Sequence, residues 1–229
     1  VTGSGLCVVG TDTGVGKTVV TAGLTAWLRA AGYDAKAVKP AQTGYPPDDD
    51  AGFVAAACDD ERAAVALERL EPPLAPRVAA AEVGQSLDYD SILARCRSEI
   101  ADSEVGLVEG IGGLRVPLAG DREVVDLVAD LDLPTLVVAR SGLGTLNHTA
   151  LTVEALARWD VDVHAVILNQ YAGSTVAART NPDELERMTG VSVATLPPVD
   201  ASTPERAALG VRERLPLTVF PFDAARLRE

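Results

Sequence analysis

The sequence predicts an α/β fold, a doubly wound, mostly parallel sheet flanked by helices in a single domain over residues 1–229. Three observations predict it. Strand-sized apolar runs recur at residues 6–9, 35–38, 105–108, 135–139, 163–168 and 192–196, and runs without polar alternation suit strands covered on both faces. Segments with apolar residues at helical spacing lie between them, as at Val20, Leu24 and Leu28. Several runs end in glycine or polar residues, and open parallel sheets hold ligands beyond those strand ends.

At 229 residues, 47% of them hydrophobic, the chain can bury a large core. No apolar run approaches the ~18 residues of a membrane span, and the start lacks the basic and long apolar regions of a signal peptide. A cytoplasmic protein is expected. The net charge of −13 disfavours nucleic acid and anionic membrane as partners. Lysine is scarce: Lys17, Lys36 and Lys39 stand alone, and arginine supplies the other basic residues. Such a surface suits either ordinary solubility or a salt-rich cytoplasm. Cys7, Cys58 and Cys96 are far apart without metal-ligand spacing and read as packing residues of a reducing compartment.

The first run leads into Gly10-Thr11-Asp12-Thr13-Gly14-Val15-Gly16-Lys17-Thr18. A buried strand, a glycine-rich turn and a helix start form a phosphate cradle of the P-loop kind. Its backbone N–H groups and the helix N-terminus can face an anion, Lys17 adds a point charge, and Thr18 offers a hydroxyl to Mg²⁺. Thr11 stands where the general pattern has glycine. A helix is expected over 19–31, stopped by Gly32. The run 35–38 is a second strand, closed by Pro40, which delivers Lys39 to the cradle's side of the sheet; a solvated strand-end lysine is the plainer alternative. Residues 41–50 read as a loop ending in Asp48, Asp49 and Asp50, before a helical segment from 51 to 57. Carboxylates at a helix start commonly cap it, yet beside a triphosphate one of them can approach Mg²⁺.

Residues 61–104 read as helical, broken by Pro72, Pro73 and Pro76, with an amphipathic stretch over 87–101. The strand 105–108 presents Glu109-Gly110-Ile111-Gly112-Gly113, where the acid is either a second Mg²⁺ anchor or a chance member of a glycine hairpin. A helix over 124–131, the strand 135–139, and polar residues 141–149 leading to a helix through Trp159 come next. His148 reads as a structural residue at a helix start, and His164 as a strand or core-edge residue. The strand 163–168 ends in Asn169-Gln170, where an amide either reads a purine edge or caps the strand. Pro197-Pro198 closes the strand 192–196, and a short helix follows Thr203.

Four blocks together resemble one family: residues 10–18, Lys39-Pro40 with Thr43-Gly44, Val108-Glu109-Gly110-Ile111-Gly112-Gly113, and Leu143-Gly144-Thr145-Leu146-Asn147-His148. They are similar to dethiobiotin synthetase, the ATP-dependent carboxylase that closes the ureido ring in biotin synthesis. That family also begins its loop Gly-Thr-Asp-Thr, so the departure at Thr11 from the general motif supports the particular one. The resemblance implies a homodimer of P-loop subunits using ATP and Mg²⁺, with 7,8-diaminopelargonic acid and CO₂ as substrates and the diamine near the subunit interface. Position by position, it implies a nucleotide cradle from Thr13, Gly14, Val15, Gly16, Lys17 and Thr18, with Lys17 bridging the β- and γ-phosphates. Lys39 belongs at the γ-phosphate and the carbamate. Thr18, Asp50 and Glu109 surround Mg²⁺. Thr13 and Thr43 bind the diamine, with the Gly112 backbone nearby, and Asn147 reaches the partner's substrate carboxylate. Asn169 matches the family's adenine-reading amide, and Pro197 lines the base pocket. Gly14 stands where some members carry an acid.

Two other P-loop classes compete with this reading. Partition or septum-positioning switch ATPases carry a second lysine early in the loop, where this chain has Asp12. Cobyrinate-type amide synthetases are normally fused to a glutaminase with a nucleophilic cysteine, and none of the three cysteines here has that setting.

Overall fold

The computed structural model describes residues 4–223 and 225–228. Along the chain, β1 (Ser4–Gly10) leads to α1 (Lys17–Ala30), β2 (Ala35–Thr43) to α2 (Asp50–Cys58), and β3 (Ala64–Leu70) to α3 (Pro76–Glu82) and α4 (Tyr89–Ala101). Next come β4 (Val105–Glu109), a short hairpin of β5 (Pro117–Ala119) and β6 (Arg122–Glu123), and α5 (Val124–Leu131). The remainder alternates β7 (Thr135–Arg140), α6 (Thr145–Arg158), β8 (Val163–Asn169), α7 (Val176–Thr189), β9 (Ser192–Leu196) and α8 (Pro204–Arg214).

Seven strands form one sheet in the order β3-β2-β4-β1-β7-β8-β9, and every pairing in it is parallel. Alternate side chains of a strand face opposite sides, and β1 shows what that does here. Cys7 and Val9 pack with Ile92, Leu127 and Leu156 on the α4, α5 and α6 side. Leu6 and Val8 pack with Leu24, Leu28 and Val211 on the α1 and α8 side. Helices therefore cover both faces, as the apolar runs require. The sheet grows from β1 in two directions, and the crevice beyond such a switch point is where doubly wound folds bind ligands. On the α1 side the helices approach closely: a Cβ placed on Gly23 of α1 would stand 2.3 Å from Val211 of α8.

Two expectations need correction. Residues 64–70 form a strand, not part of a helical stretch. This edge strand pairs with β2 alone, so Glu68 and Arg69 can face water, and they and the two alanines, Ala64 and Ala66, leave Val65 as its one β-branched residue. Pro40 does not close β2, which runs on to Thr43. Pairing with β4 has ended by Val38 while pairing with β3 continues to Thr43, and a residue lacking N–H is tolerated where one side of a strand is free. The hairpin and α7, which contains Pro182, have no counterpart among the expected elements. Cys7 and Cys96 are fully buried and free, in keeping with a packing role. Among the described residues, no helix is long and apolar enough to cross a membrane.

Candidate active site

The C-terminal ends of β1, β2 and β4 converge on the start of α1. The turn after β1 needs glycine at two places, Gly14 with φ of 70° and Gly16 with φ of 101°, a region that side chains with a Cβ rarely enter. Gly16 is doubly constrained, since a Cβ there would lie 2.0 Å from the Asn169 amide nitrogen. The turn places Lys17 at the head of α1, 6% exposed. Its Nζ donates to the carbonyls of Asp12 at 3.0 Å and Gly112 at 2.9 Å. Arg140, at the end of β7, braces the same turn by donating to the Thr13 carbonyl at 3.1 Å.

Beside Lys17 lies a buried charge cluster. Thr18 donates its hydroxyl to Glu109 Oε1 at 2.9 Å. Lys39 donates to the same oxygen at 2.8 Å and to the Gly110 carbonyl at 3.3 Å, and its Nζ stands 2.6 Å from Asp50 Oδ2. Burial by itself would push the Lys39 ammonium towards neutrality, but contact with Glu109 and Asp50 reverses this and holds its pKa above the ordinary lysine value. Asp50 shifts the other way: burial favours its neutral form, and the Lys39 charge and hydrogen bond, the Thr18 hydrogen bond and the Lys17 charge outweigh burial and lower its pKa. Among the described residues, no carboxylate pairs with Lys17, which bonds to backbone carbonyls instead. Burial, then repulsion from Lys39, bring its pKa down to about 8. The site thus holds one lysine locked in its charged form and one poised to gain an anion.

These groups line a cavity of about 980 Å³. Thr13, Gly14, Gly16, Lys17 and Thr18 form one wall, and Lys39, Thr43, Asp50, Glu109 and Gly112 form another. The three aspartates have separated in role. Asp49 caps α2 by accepting the Gly52 N–H, Asp48 is exposed, and Asp50 faces Lys39. Val15 is buried beneath the loop, its side chain in the core. Asn169 stands at the end of β8, where Oδ1 accepts the Gln170 N–H at 2.8 Å and Nδ2 donates to the Val15 carbonyl at 2.9 Å, which leaves one amide N–H and one oxygen lone pair for a further partner. Asn147 is exposed on the first turn of α6, and Pro197 is half-buried after β9; neither lines the cavity. His148 is exposed on α6, and His164 contacts the Thr218 carbonyl at the core edge.

One polar residue of the cavity lay outside the sequence expectations. Gln42 is buried at the end of β2 and spans to α2. Its signal was the strand itself: once β2 runs past Pro40, a glutamine there must be buried and bonded.

A family model described as an AAA domain matches residues 4–206. An ATP-dependent dethiobiotin synthetase of Haloferax mediterranei is 62% identical over 210 residues, covering 92% of this chain and 90% of the relative. The chain belongs to the dethiobiotin synthetase family. A further synthetase, from Anaeromyxobacter sp. strain Fw109-5, is 48% identical and covers 81% of this chain and 86% of its own length. Dethiobiotin synthetases are ATP-dependent ligases that form carbon–nitrogen bonds in biotin biosynthesis, and this chain is one of them. Solved structures extend the likeness at the level of the fold. The cell division ATPase MinD of Pyrococcus furiosus has a TM-score of 0.57 at 17% identity, covering 93% of this chain and 98% of that one. A ParA family ATPase from Chlorobium tepidum has a TM-score of 0.58 at 14% identity, covering 97% and 93%. The switch ATPases therefore share the synthetase architecture, while the sequence relatives carry the activity.

Proposed function

We propose that this chain joins CO₂ to 7,8-diaminopelargonic acid and closes the ureido ring at the expense of ATP, releasing dethiobiotin, ADP and phosphate. The observation that carries the reading is the meeting of Lys17 and Lys39 with Thr18, Asp50 and Glu109 at one cavity. One amine of the substrate adds to CO₂ and loses a proton, forming a carbamate. A carbamate oxygen then attacks the γ-phosphorus, and the bond to the ADP oxygen breaks. The second amine attacks the carbonyl of this mixed anhydride, phosphate leaves, and the ring closes.

Each step gathers negative charge, so positioning and cationic clamping suffice without a protein nucleophile. Lys17 is assigned to the β- and γ-phosphates and Lys39 to the γ-phosphate and the carbamate; the neighbours that keep Lys39 charged keep the clamp set before substrate arrives. Thr13 and Thr43 are assigned to the diamine, with the Gly112 backbone beside it. The donor set fits Mg²⁺: a hydroxyl and two carboxylates are hard oxygen ligands, and so few protein ligands match an ion that keeps waters and shares phosphate oxygens. Thr18, Asp50 and Glu109 would hold it. Bound there, it would offset charge on the phosphates.

The assembly we propose is a homodimer through the start of α6. Leu143 is 99% exposed and Leu151, one turn beyond Asn147, is 56% exposed, an apolar edge suited to a second copy. Asn147, outside its own cavity, would then reach the partner's substrate carboxylate. Sedimentation of the chain and of Leu143→Asp checks this: a dimer that the variant turns to monomer is expected, and a monomeric parent chain refutes it.

The activity is tested by incubating the protein with ATP, Mg²⁺, labelled bicarbonate and the diamine. Acid-stable labelled product that requires both ATP and diamine is expected. Its absence, with ATP turnover stimulated by DNA or lipid instead, would favour the switch-ATPase reading.

A further inference from the structure

Gln42 is the buried polar residue of the site that the chemistry above does not use. It is 4% exposed, and both ends of its amide are engaged. Nε2 donates to the Thr43 carbonyl at 3.0 Å, and Oε1 accepts the Asp50 N–H at 3.0 Å. The second bond closes the 44–49 loop, joining the end of β2 to the start of α2. The first N–H groups of a helix find no acceptor within it, so Asp50 needs one from elsewhere. Asp49 caps the same first turn through the Gly52 N–H at 2.9 Å. The loop thus supplies one anchor of the helix start and the sheet supplies the other. The sheet anchor lies on the strand that also carries Lys39, three residues before it.

We infer that Gln42 is a positioning residue that, by clamping the end of β2 to the first N–H of α2, sets where the Asp50 carboxylate stands against Lys39, Thr18 and Glu109. The inference rests on the proposed place of Asp50 beside the metal. Loss of the clamp leaves the cradle of residues 13–18 intact, because no part of that turn bonds to Gln42 in the structure. The penalty therefore falls on the magnesium-dependent share of nucleotide binding and spares the share that ADP gains without metal.

The test is calorimetric titration of ADP, with and without MgCl₂, into the parent chain, Gln42→Met, Gln42→Glu and Asp50→Asn. Gln42→Met keeps the side-chain length and removes both hydrogen bonds. It is expected to lower the gain in ADP affinity due to Mg²⁺ by about tenfold, the scale of one lost buried hydrogen bond, with metal-free ADP affinity unchanged. Gln42→Glu keeps the acceptor for the Asp50 N–H and is expected to stay within about threefold of the parent. Kinetics should agree, with Gln42→Met raising the Mg²⁺ concentration for half-maximal rate. If Asp50→Asn lowers the magnesium gain and Gln42→Met does not, Gln42 is structural only and the inference fails while the Asp50 role stands. An equal fall in Gln42→Glu and Gln42→Met also overturns it. No effect of Asp50→Asn removes the Asp50 role and the inference together.

Discussion

Lys36 and Lys39 sit three residues apart on β2, each paired with glutamate, yet they face opposite sides of the sheet, Lys36 towards α4 and Lys39 towards α2. Lys36 meets Glu99 of α4 with both side chains about a quarter exposed, at 26% and 27%. Lys39 meets Glu109 with side-chain exposures of 7% and 3%, and adds Asp50. In water an ion pair is screened and contributes roughly 0–1 kcal/mol. Taken out of water, the same pair costs desolvation that attraction only partly returns, so it persists where something besides stability depends on it. The face of the strand, and how deeply that face is covered, separates a surface tie from a clamp.

The largest expected effect breaks or upholds this contrast directly. Lys39→Ala should lower the carboxylation rate by a hundredfold or more, on the order of a lost charge-stabilising donor, and destabilise the fold by about 3 kcal/mol by stranding Glu109. Lys36→Ala should leave the rate unchanged and cost roughly 0.5 kcal/mol. Steady-state assays and urea melts of both variants check this, and equal losses of activity would end the distinction.

Lys17 sharpens the contrast within the same end of the sheet, because it lacks the carboxylates that hold Lys39 charged. Its folded pKa of about 8 lies below the ordinary 10.5. The buried ammonium therefore costs stability below pH 8, and that cost fades as the pH rises from 8 towards 10.5. Nucleotide needs the charged form. ADP affinity should be flat below pH 8 and fall above it, approaching about tenfold per pH unit. Titrations from pH 7 to 9.5 measure this, and Lys17→Met should show no such slope.

The smallest effect concerns a polar group outside both ion pairs. Thr21 of α1 is fully buried, and its hydroxyl has no hydrogen-bond partner among the described residues. Thr21→Val removes that unsatisfied group at nearly constant shape and should raise stability by up to about 1 kcal/mol with activity unchanged. A denaturation midpoint that falls would mean the hydroxyl is satisfied in solution.

What was legible in the sequence follows from how local each signal is. The cradle at 10–18 is contiguous, and Lys39 and Glu109 close apolar runs, so strand-end logic alone brought them to one side. Asp50 could be separated from Asp48 and Asp49 only through the family resemblance, because all three look like helix caps and their difference lies in which one faces Lys39. The strand at 64–70 was lost because an edge strand needs few branched residues, and Gln42 was lost with the false end of β2 at Pro40. Asn169 shows the limit of a single letter: an amide that caps a strand and one that faces a base read alike in sequence, and the Val15 carbonyl that its Nδ2 meets lies far away in the chain.

The 2.3 Å approach at Gly23 bears on inheritance rather than on chemistry. A change at position 23 to any larger residue must be matched by loss of bulk at Val211, on a helix encoded almost at the other end of the chain. The two sites are one hereditary unit, and a chimera that took its first half from one relative and its last helix from another would meet this constraint before any difference in its active site.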